Sequence, residues 1–154
     1  MIRLGKMEDI QQVNVIRKEV NDLHVKGKPN IFKPGFCSAL AEYVKQFVGS
    51  DDKMLLVCEE NNLICAYAMI EFITKPETPY RYELEYLHIE ELGTLQGQQG
   101  KGYGKAIMEK VKELAKERNI SRLELDVWSF NEQAIKFYDK IGFERYREYL
   151  ELNI

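Results

Sequence analysis

The chain contains little of what a secreted or metal-binding protein needs. Its three cysteines, Cys37, Cys58 and Cys65, are an odd number without the spacing of a metal site, and its only two histidines lie far apart. Disulfides are rare in the cytosol, and a structural zinc site needs about four Cys or His ligands. The composition therefore predicts reduced thiols, a cytoplasmic location and no metal.

Positive charge and long apolar runs are also scarce. Lysine and arginine total 22 against 25 acidic residues, which gives a net charge of −3, and they form no basic block. Nucleic-acid binders carry basic stripes, so this balance argues against a nucleic-acid partner. No stretch has the length of a membrane-spanning helix, and Met1–Lys6 holds no apolar signal core, so we expect no membrane partner.

What is present predicts one domain over residues 1–154. The hydrophobic content of 45% is enough for a core, and no repeat or linker divides the chain. Apolar periodicity predicts a strand, two helices, three strands, a helix, a strand, a helix and a final strand or strand pair, which is an α/β (α+β) fold. The expected ranges are 1–4, 9–25, 38–47, 53–59, 63–73, 80–95, 102–118, 123–127, a helix to 141 capped by Ser129 or Asn131, and 143–152.

The most informative segment is the glycine-rich run Gln99–Gly104, which lies between a predicted strand and a strongly amphipathic helix. Glycines allow close approach of a bulky group, and the free amides at a helix N-terminus favour phosphate. A P-loop needs Ser or Thr where Ala106 follows Lys105, and the glycine spacing does not fit a dinucleotide fingerprint. The run therefore predicts a different phosphate-bearing cofactor.

Two motifs resemble those of the GNAT superfamily of N-acetyltransferases. Gln99, Gly102 and Gly104 match Gln/Arg-x-x-Gly-x-Gly/Ala, the loop with which that family binds the pyrophosphate of acetyl-CoA. Residues 131–143 match its second hallmark, N-x-x-A-x-x-F-Y-x-x-x-G-F, and the element order of the whole chain agrees. The resemblance implies a mixed, mostly antiparallel sheet of about six to seven strands flanked by about four helices, with acetyl-CoA as co-substrate.

The resemblance also implies which residues bind acetyl-CoA. Loop amides would hold the pyrophosphate, the preceding strand would pair with the pantetheine arm, and Asn131 would contact that arm. Tyr138, two helical turns further on, would lie near the sulfur and donate a proton to the departing thiolate, because a phenol with a pKa of about 10 stays protonated at neutral pH. The implied loop residues are Gln99, Gly100, Lys101, Gly102, Tyr103, Gly104 and Lys105, and the strand residues are Leu92, Gly93, Thr94 and Leu95.

The acceptor amine must lose a proton before it attacks, and family members often use a glutamate on the strand before the loop. Glu90 and Glu91 are the first candidates for this catalytic role, followed by His88 and Glu85, with Asp126 on the next strand. Alternation places Glu90 with His88 on one face and Glu91 with Glu85 on the other, unless a bulge shifts the pattern. A solvated strand face is the alternative for all of them.

The resulting hypothesis is an acetyl-CoA-dependent N-acetyltransferase that acts on a primary amine by direct transfer in a ternary complex. An acidic set that includes Glu83 and Glu85 beside Glu90 and Glu91 favours a small cationic amine. The resemblance implies that residues 24–34 shape the acceptor site. The alternatives are a protein N-terminal or lysine acetyltransferase and a non-catalytic acyl-CoA sensor. A homodimer through exposed strand edges is a further expectation, and the acceptor and acyl group stay open.

Overall fold

The computed structural model describes residues 1–154 and contains a five-stranded sheet with four α-helices. The strands, in spatial and chain order, are β1 (Ile2–Leu4), β2 (Lys53–Glu60), β3 (Leu63–Lys75), β4 (Leu84–Thr94) and β5 (Leu123–Leu125). The helices are α1 (Ile10–Gly27), α2 (Ser38–Tyr43), α3 (Tyr103–Glu117) and α4 (Glu132–Lys140), with 3-10 turns at Met7–Asp9 and Val44–Phe47. Only β4 and β5 are parallel, which confirms the mixed, mostly antiparallel sheet.

The helices cover both faces of the sheet. On one face, α3 buries an apolar stripe with the spacing of successive helical turns, formed by Ile107, Met108, Val111 and Ala115. On the other face, α1 and the 3-10 turn at Val44–Phe47 pack against the alternate residues of β2 and β3. Because β3 is covered on both faces, its residues 64–70 form a continuous buried run rather than an alternating one.

Some predicted boundaries differ from the observed ones. The helix expected over 38–47 is α-helical only to Tyr43 and then tightens to a 3-10 turn. The strand expected over 123–127 ends at Leu125. Of the two proposed caps for the last helix, the structure has Asn131, whose Oδ1 accepts a hydrogen bond from the amide of Ala134 at 3.2 Å.

The predicted strand count of six to seven was too high, because residues 143–152 form no strand. This segment lies beside β5 through side chains: the Tyr146 hydroxyl donates to Glu124 at 3.0 Å, and the Arg122 guanidinium lies 4.7 Å from the Tyr146 ring centre. Alternating apolar residues form a strand when a backbone partner and a buried face are available. Here the apolar side chains stay exposed, among them Tyr149, Leu150 and Leu152.

Candidate active site

The centre of β4 contains a β-bulge, which the sequence analysis had considered as a feature that would shift the alternation of side chains. Met69 of β3 pairs with Glu91 and Ile70 pairs with Ile89, so Glu90 is an extra residue without a cross-strand partner. A bulge of this kind bends a strand and redirects its side chains. The bulge also lies where β4 parts from β5, because the last pair between the two strands joins Ile89 to Leu125.

The bulge corrects the expected distribution of the acidic side chains. Glu91 lies opposite Met69, which belongs to the core under α1, and Glu90 contacts Tyr43 of α2. Both glutamates therefore face α1 and α2, together with His88, whereas alternation alone had placed Glu91 on the other face. Glu85 remains on the opposite face, in phase with the buried Leu87.

Glu91 is committed to contacts within the protein. Its carboxylate accepts from Arg17 Nε at 2.8 Å and Nη2 at 3.0 Å, and from the Tyr67 hydroxyl at 2.9 Å. Burial of the Arg17 guanidinium disfavours its charge, but the pairing with Glu91 raises the pKa of Arg17 overall. Glu91 therefore anchors α1 to the sheet, and its oxygens are already occupied.

Glu90 is the more available carboxylate. Its side chain is 34% exposed, and it contacts the Tyr43 hydroxyl at 3.2 Å and His88 Nε2 at 3.4 Å. The contact with His88 lowers the pKa of Glu90, and the same contact raises the pKa of His88. Burial and the charge of Glu90 raise the pKa of Tyr43 to about 12, so Tyr43 stays a hydrogen-bond donor to Glu90.

The glycine-rich run forms the turn between β4 and α3. None of the main-chain amides from Gln99 to Lys105 donates a hydrogen bond to an acceptor in the protein. Gly100 and Gly102 have φ angles of +79° and +88°, which side-chain-bearing residues rarely adopt, and Gly102 is the N-cap of α3. Free amides next to a helix N-terminus form an anion-binding surface.

Two other glycines permit close packing around this turn. A Cβ on Gly104 would lie 3.4 Å from the Phe137 ring, so this glycine lets α4 approach the start of α3. A Cβ on Gly93 would lie only 2.6 Å from the Tyr67 ring, so no larger residue fits β4 at that position. The candidate residues of β4, α3 and α4 are thus brought together by direct packing.

The polar side chains of the turn mostly form hydrogen bonds with other residues of the same turn. Gln99 donates to the Thr94 carbonyl at 3.2 Å and accepts from the Gly97 amide at 3.0 Å. Lys101 is exposed and donates to Gln98 at 2.8 Å, and Lys105 is also exposed on the first turn of α3. The Tyr103 hydroxyl donates to Glu60 at the end of β2.

Tyr138 lies on α4 between the aromatic rings of Phe137 and Phe143, with ring centres 5.4 Å and 5.6 Å away. Burial alone raises its pKa to about 12, and no neighbouring charge contributes. Tyr138 is therefore a protonated donor throughout the ordinary pH range.

Sequence reasoning missed Arg17 and an aromatic cluster. Arg17 interrupts the apolar stripe of α1 between Val13 and Val20, and a charged residue on a buried helix face is the signal that could have revealed it. The aromatic cluster joins α1 and the segment after it to the segment before α4. Its members, with neighbouring ring centres 5.1 to 6.2 Å apart, are His24, Phe32, Trp128 and Phe130.

The three cysteines form no disulfide. Cys58 and Cys65 are buried, Cys37 is exposed, and all three are free. The structure contains no group of three or more His, Cys, Asp or Glu side chains placed to hold a metal ion. None of its helices is both long and apolar enough to cross a membrane.

Residues 18–143 match the model of the Acetyltransferase (GNAT) family, which is most of the chain. The chain belongs to the GNAT acetyltransferase family. This GNAT protein is accordingly an acetyl-CoA-dependent acyltransferase, and the loop that precedes its helix α3 falls within the matched region.

Solved structures support the same family. The tetramutant of BH1408 protein from Bacillus halodurans is 26% identical to this GNAT chain, with a TM-score of 0.95 over 100% of this chain and 99% of that one. A predicted acetyltransferase with acetyl-CoA from Clostridium acetobutylicum is also 26% identical, with a TM-score of 0.71 over 99% and 95%. An aminoglycoside N-acetyltransferase, AAC(6')-Iy in complex with CoA, shares the fold at 12% identity, with a TM-score of 0.78 over 100% and 93%.

Proposed function

We propose that this chain, as one catalytic domain over residues 1–154, transfers the acetyl group of acetyl-CoA directly to a primary amine in a ternary complex. The observation that carries the proposal is the pair of unlike sites along β4. Its C-terminal end leads into the free amides of Gln99–Lys105, which suit a diphosphate, and its bulge presents Glu90, which suits an ammonium group. A cofactor along the strand between them brings its thioester to the amine.

The cofactor half of the site is assigned to main chain. The amides of Gln99–Lys105 bind the pyrophosphate, and the exposed Lys101 and Lys105 add positive charge at its margin. The Leu92–Thr94 part of β4 pairs with the pantetheine arm, because β5 ends opposite Ile89 and leaves this edge of β4 without a strand partner. Leu95, which was expected to join them, uses its amide on the Cys65 carbonyl and its carbonyl on the Gln98 amide, both at 2.9 Å. The Asn131 side chain uses its oxygen in the helix cap, so its NH2 group is available to the same arm.

Tyr138 is assigned as the general acid. Attack by the amine nitrogen on the acetyl carbonyl forms the C–N bond, and collapse of the tetrahedral intermediate breaks the C–S bond. The thiolate takes the phenolic proton of Tyr138, and the nitrogen of the intermediate returns a proton to the phenolate, which gives the amide and free CoA. The raised pKa of Tyr138, about 12, keeps this proton in place until the thiolate forms.

Glu90 is assigned to the acceptor, which we propose is a small cationic amine. Of the two glutamates expected to act in catalysis, Glu91 is held by Arg17 and Tyr67, whereas Glu90 keeps partial exposure and contacts only Tyr43 and His88. A carboxylate beside the reacting position attracts an ammonium group and repels an acidic acceptor. Glu91 is reassigned to positioning α1.

The cellular setting is part of the same proposal. Three free cysteines, two of them buried, support a cytoplasmic location, which cell fractionation would test. The exposed apolar side chains of residues 144–154 support a homodimer, which sedimentation equilibrium would test.

Thiol release from acetyl-CoA with a panel of acceptors tests the proposal. The panel contains small cationic amines, neutral amines, acidic amino acids and peptides with a free N-terminus or lysine. Small cationic amines should be turned over, and Glu90→Gln should raise their KM about tenfold while the Kd for acetyl-CoA stays the same. Glu117→Gln, at the far end of α3, is the matched control and should leave KM unchanged.

Three results would contradict the proposal. Turnover of peptides alone would favour a protein acetyltransferase. Tight acetyl-CoA binding without thiol release for any amine would favour the sensor. A KM that is the same in Glu90→Gln and wild type would remove Glu90 from the acceptor site.

A further inference from the structure

A row of charged side chains crosses the sheet at the level of His88. Lys53 of β2 pairs with Glu71 of β3, Glu71 pairs with His88, and His88 pairs with Glu124 of β5. Directly paired residues of neighbouring strands point to the same face, which here is the face of α1 and α2. Charges alternate along this row only when the imidazole of His88 is protonated.

Within β4, the His88 side chain contacts Glu90, the residue at the bulge. Its Nε2 lies 3.4 Å from Glu90 Oε2, and the side chains are 20% and 34% exposed, so both can be reached from solvent. Because Nε2 faces a carboxylate, a neutral ring places its proton on Nε2 and carries the lone pair on Nδ1. A carboxylate bound to one ring nitrogen orients the ring and leaves the other nitrogen free to accept a proton.

We propose that His88 is the proton acceptor for the incoming amine, and that Glu90 orients His88 and holds the imidazolium that forms. This inference rests on the proposed transfer to an amine and deepens it. It adds to the role of Glu90 at the acceptor site that of partner to the base, whereas the sequence had offered Glu90 as a candidate for the base itself.

The proton transfers balance as follows. The ammonium group gives one proton to His88 Nδ1, directly or through one water, and becomes a neutral nucleophile. His88 is then an imidazolium between Glu90, Glu71 and Glu124. After acetyl transfer, with the thiolate protonated by Tyr138, the imidazolium releases its proton to solvent and returns to the neutral form.

The charges around His88 support a base of useful strength. Glu90 first, and then Asp126 and Glu124, raise the pKa of His88 above its ordinary value of 6.5, although burial opposes them. A carboxylic acid with a lowered pKa, as in Glu90, holds a proton less well than an imidazole with a raised one. The other groups facing this pair are Glu71 opposite His88, Tyr43 from α2 and Lys53 from β2.

Titration of the histidine signals by NMR tests the pairing without any turnover. The chain has only two histidines, so two ring signals are expected, and His24→Gln assigns them. His88 should titrate above 6.5, and His24, whose pKa is lowered by burial, should titrate below it. Glu90→Gln should move the His88 titration down. A His88 titration at or below 6.5, or one insensitive to Glu90→Gln, would overturn the pairing.

The pH dependence of kcat/KM tests the role in catalysis. In wild type, kcat/KM should rise with pH as His88 loses its proton, and this rise is the acid limb of the profile. Glu90→Gln should shift the acid limb to lower pH. His88→Gln should remove the limb and lower kcat about 10²-fold. Glu117→Gln, at the far end of α3, is the control and should keep the limb. Should His88→Gln not fold by circular dichroism, His88→Asn serves instead.

Two results would overturn this inference alone and make Glu90 the base. One is a His88 variant whose kcat/KM still rises with pH as in wild type. The other is complete loss of activity in Glu90→Gln while His88→Gln keeps nearly normal activity. No turnover with any amine would overturn the proposed function itself.

Discussion

At the scale of single residues, the contrast between Glu90 and Glu91 shows how neighbours of one type acquire different roles. Glu91 accepts three hydrogen bonds from Arg17 and Tyr67, whereas Glu90, displaced by the bulge, meets Tyr43 and His88. A carboxylate whose oxygens are occupied by a buried guanidinium serves the structure, since removing one partner leaves an uncompensated charge. The carboxylate with open geometry is the one left for a ligand.

Tyr138→Phe tests the proposed general acid by removing only a hydroxyl. We expect kcat to fall about 10²-fold, the usual scale of a lost general acid, with the Kd for acetyl-CoA unchanged. Because burial raises the pKa of Tyr138 to about 12, wild type should show no loss of activity from this group below pH 11 or so. Steady-state kinetics across pH provide the measurement. Tyr149→Phe, at a residue 80% exposed, is the matched control; near-normal kcat in Tyr138→Phe at every pH would refute the assignment.

At the scale of elements, the proposed cofactor site is formed by β4, the turn that follows it and α3. β4 loses its parallel partner after Ile89, the turn presents free amides, and α3 aligns its N-terminus with them. The positive φ angles of Gly100 and Gly102 are what bring these amides to one side. The glycines of the motif therefore act by setting the shape of the backbone.

Gly102→Ala tests this element. A residue with a Cβ pays about 1–2 kcal/mol to keep a left-handed conformation, so the loop should lose its shape and the Kd for acetyl-CoA should rise about tenfold. Isothermal titration calorimetry measures the Kd. Gly49→Ala, where φ is +75° in a loop without any proposed ligand contact, is the control for the strain alone. Equal affinities for Gly102→Ala and wild type would show that the loop conformation does not govern cofactor binding.

At the scale of the whole molecule, a buried polar network ties the N-terminal elements to the sheet. Arg3 of β1 donates to Asp9 at 2.7 and 2.8 Å and to Glu59 of β2 at 2.9 Å, and the Lys6 amide donates to Asp9 at 2.7 Å. Asp9 directly precedes α1 and is only 5% exposed. The network therefore fixes the start of α1 against the sheet, and with it the positions of Arg17 and His24 further along the helix.

Asp9→Asn should lower the free energy of unfolding at pH 7 by about 2 kcal/mol, because charged hydrogen bonds to Arg3 are lost. The bond from Arg3 lowers the folded-state pKa of Asp9, so this stabilisation is present above its ordinary value of 3.8 and is lost as pH falls through the folded-state pKa. Urea unfolding should show that the difference in free energy of unfolding between Asp9→Asn and wild type is smaller below pH 4 than at pH 7.

Asp22→Asn, in the exposed Lys18–Asp22 pair, is the control and should change stability by less than about 0.5 kcal/mol at pH 7. A difference between Asp9→Asn and wild type that stays constant with pH would mean that the Asp9 charge adds nothing to stability.

Much of this molecule was predictable from local pattern. Helix α3 and the hairpin of β2 and β3 are long and strongly periodic, and their predicted ranges agree with the structure to within one or two residues. Residues 143–152 were predicted wrongly because a strand needs a backbone partner, and alternation in the sequence cannot supply one. The Asn131 cap was one of two predicted, and only the contact with Ala134 distinguishes them.

The sequence by itself determined the turn that we propose for the cofactor, since its shape depends on glycine positions and a following helix, which are local features of the chain. The tertiary structure alone decided the geometry of the proposed acceptor site. The bulge at Glu90, the commitment of Glu91 to Arg17 and the pairing of His88 with Glu71 and Glu124 all depend on strand register. Register joins residues far apart in the chain, and a shift of one position reverses which face a side chain occupies.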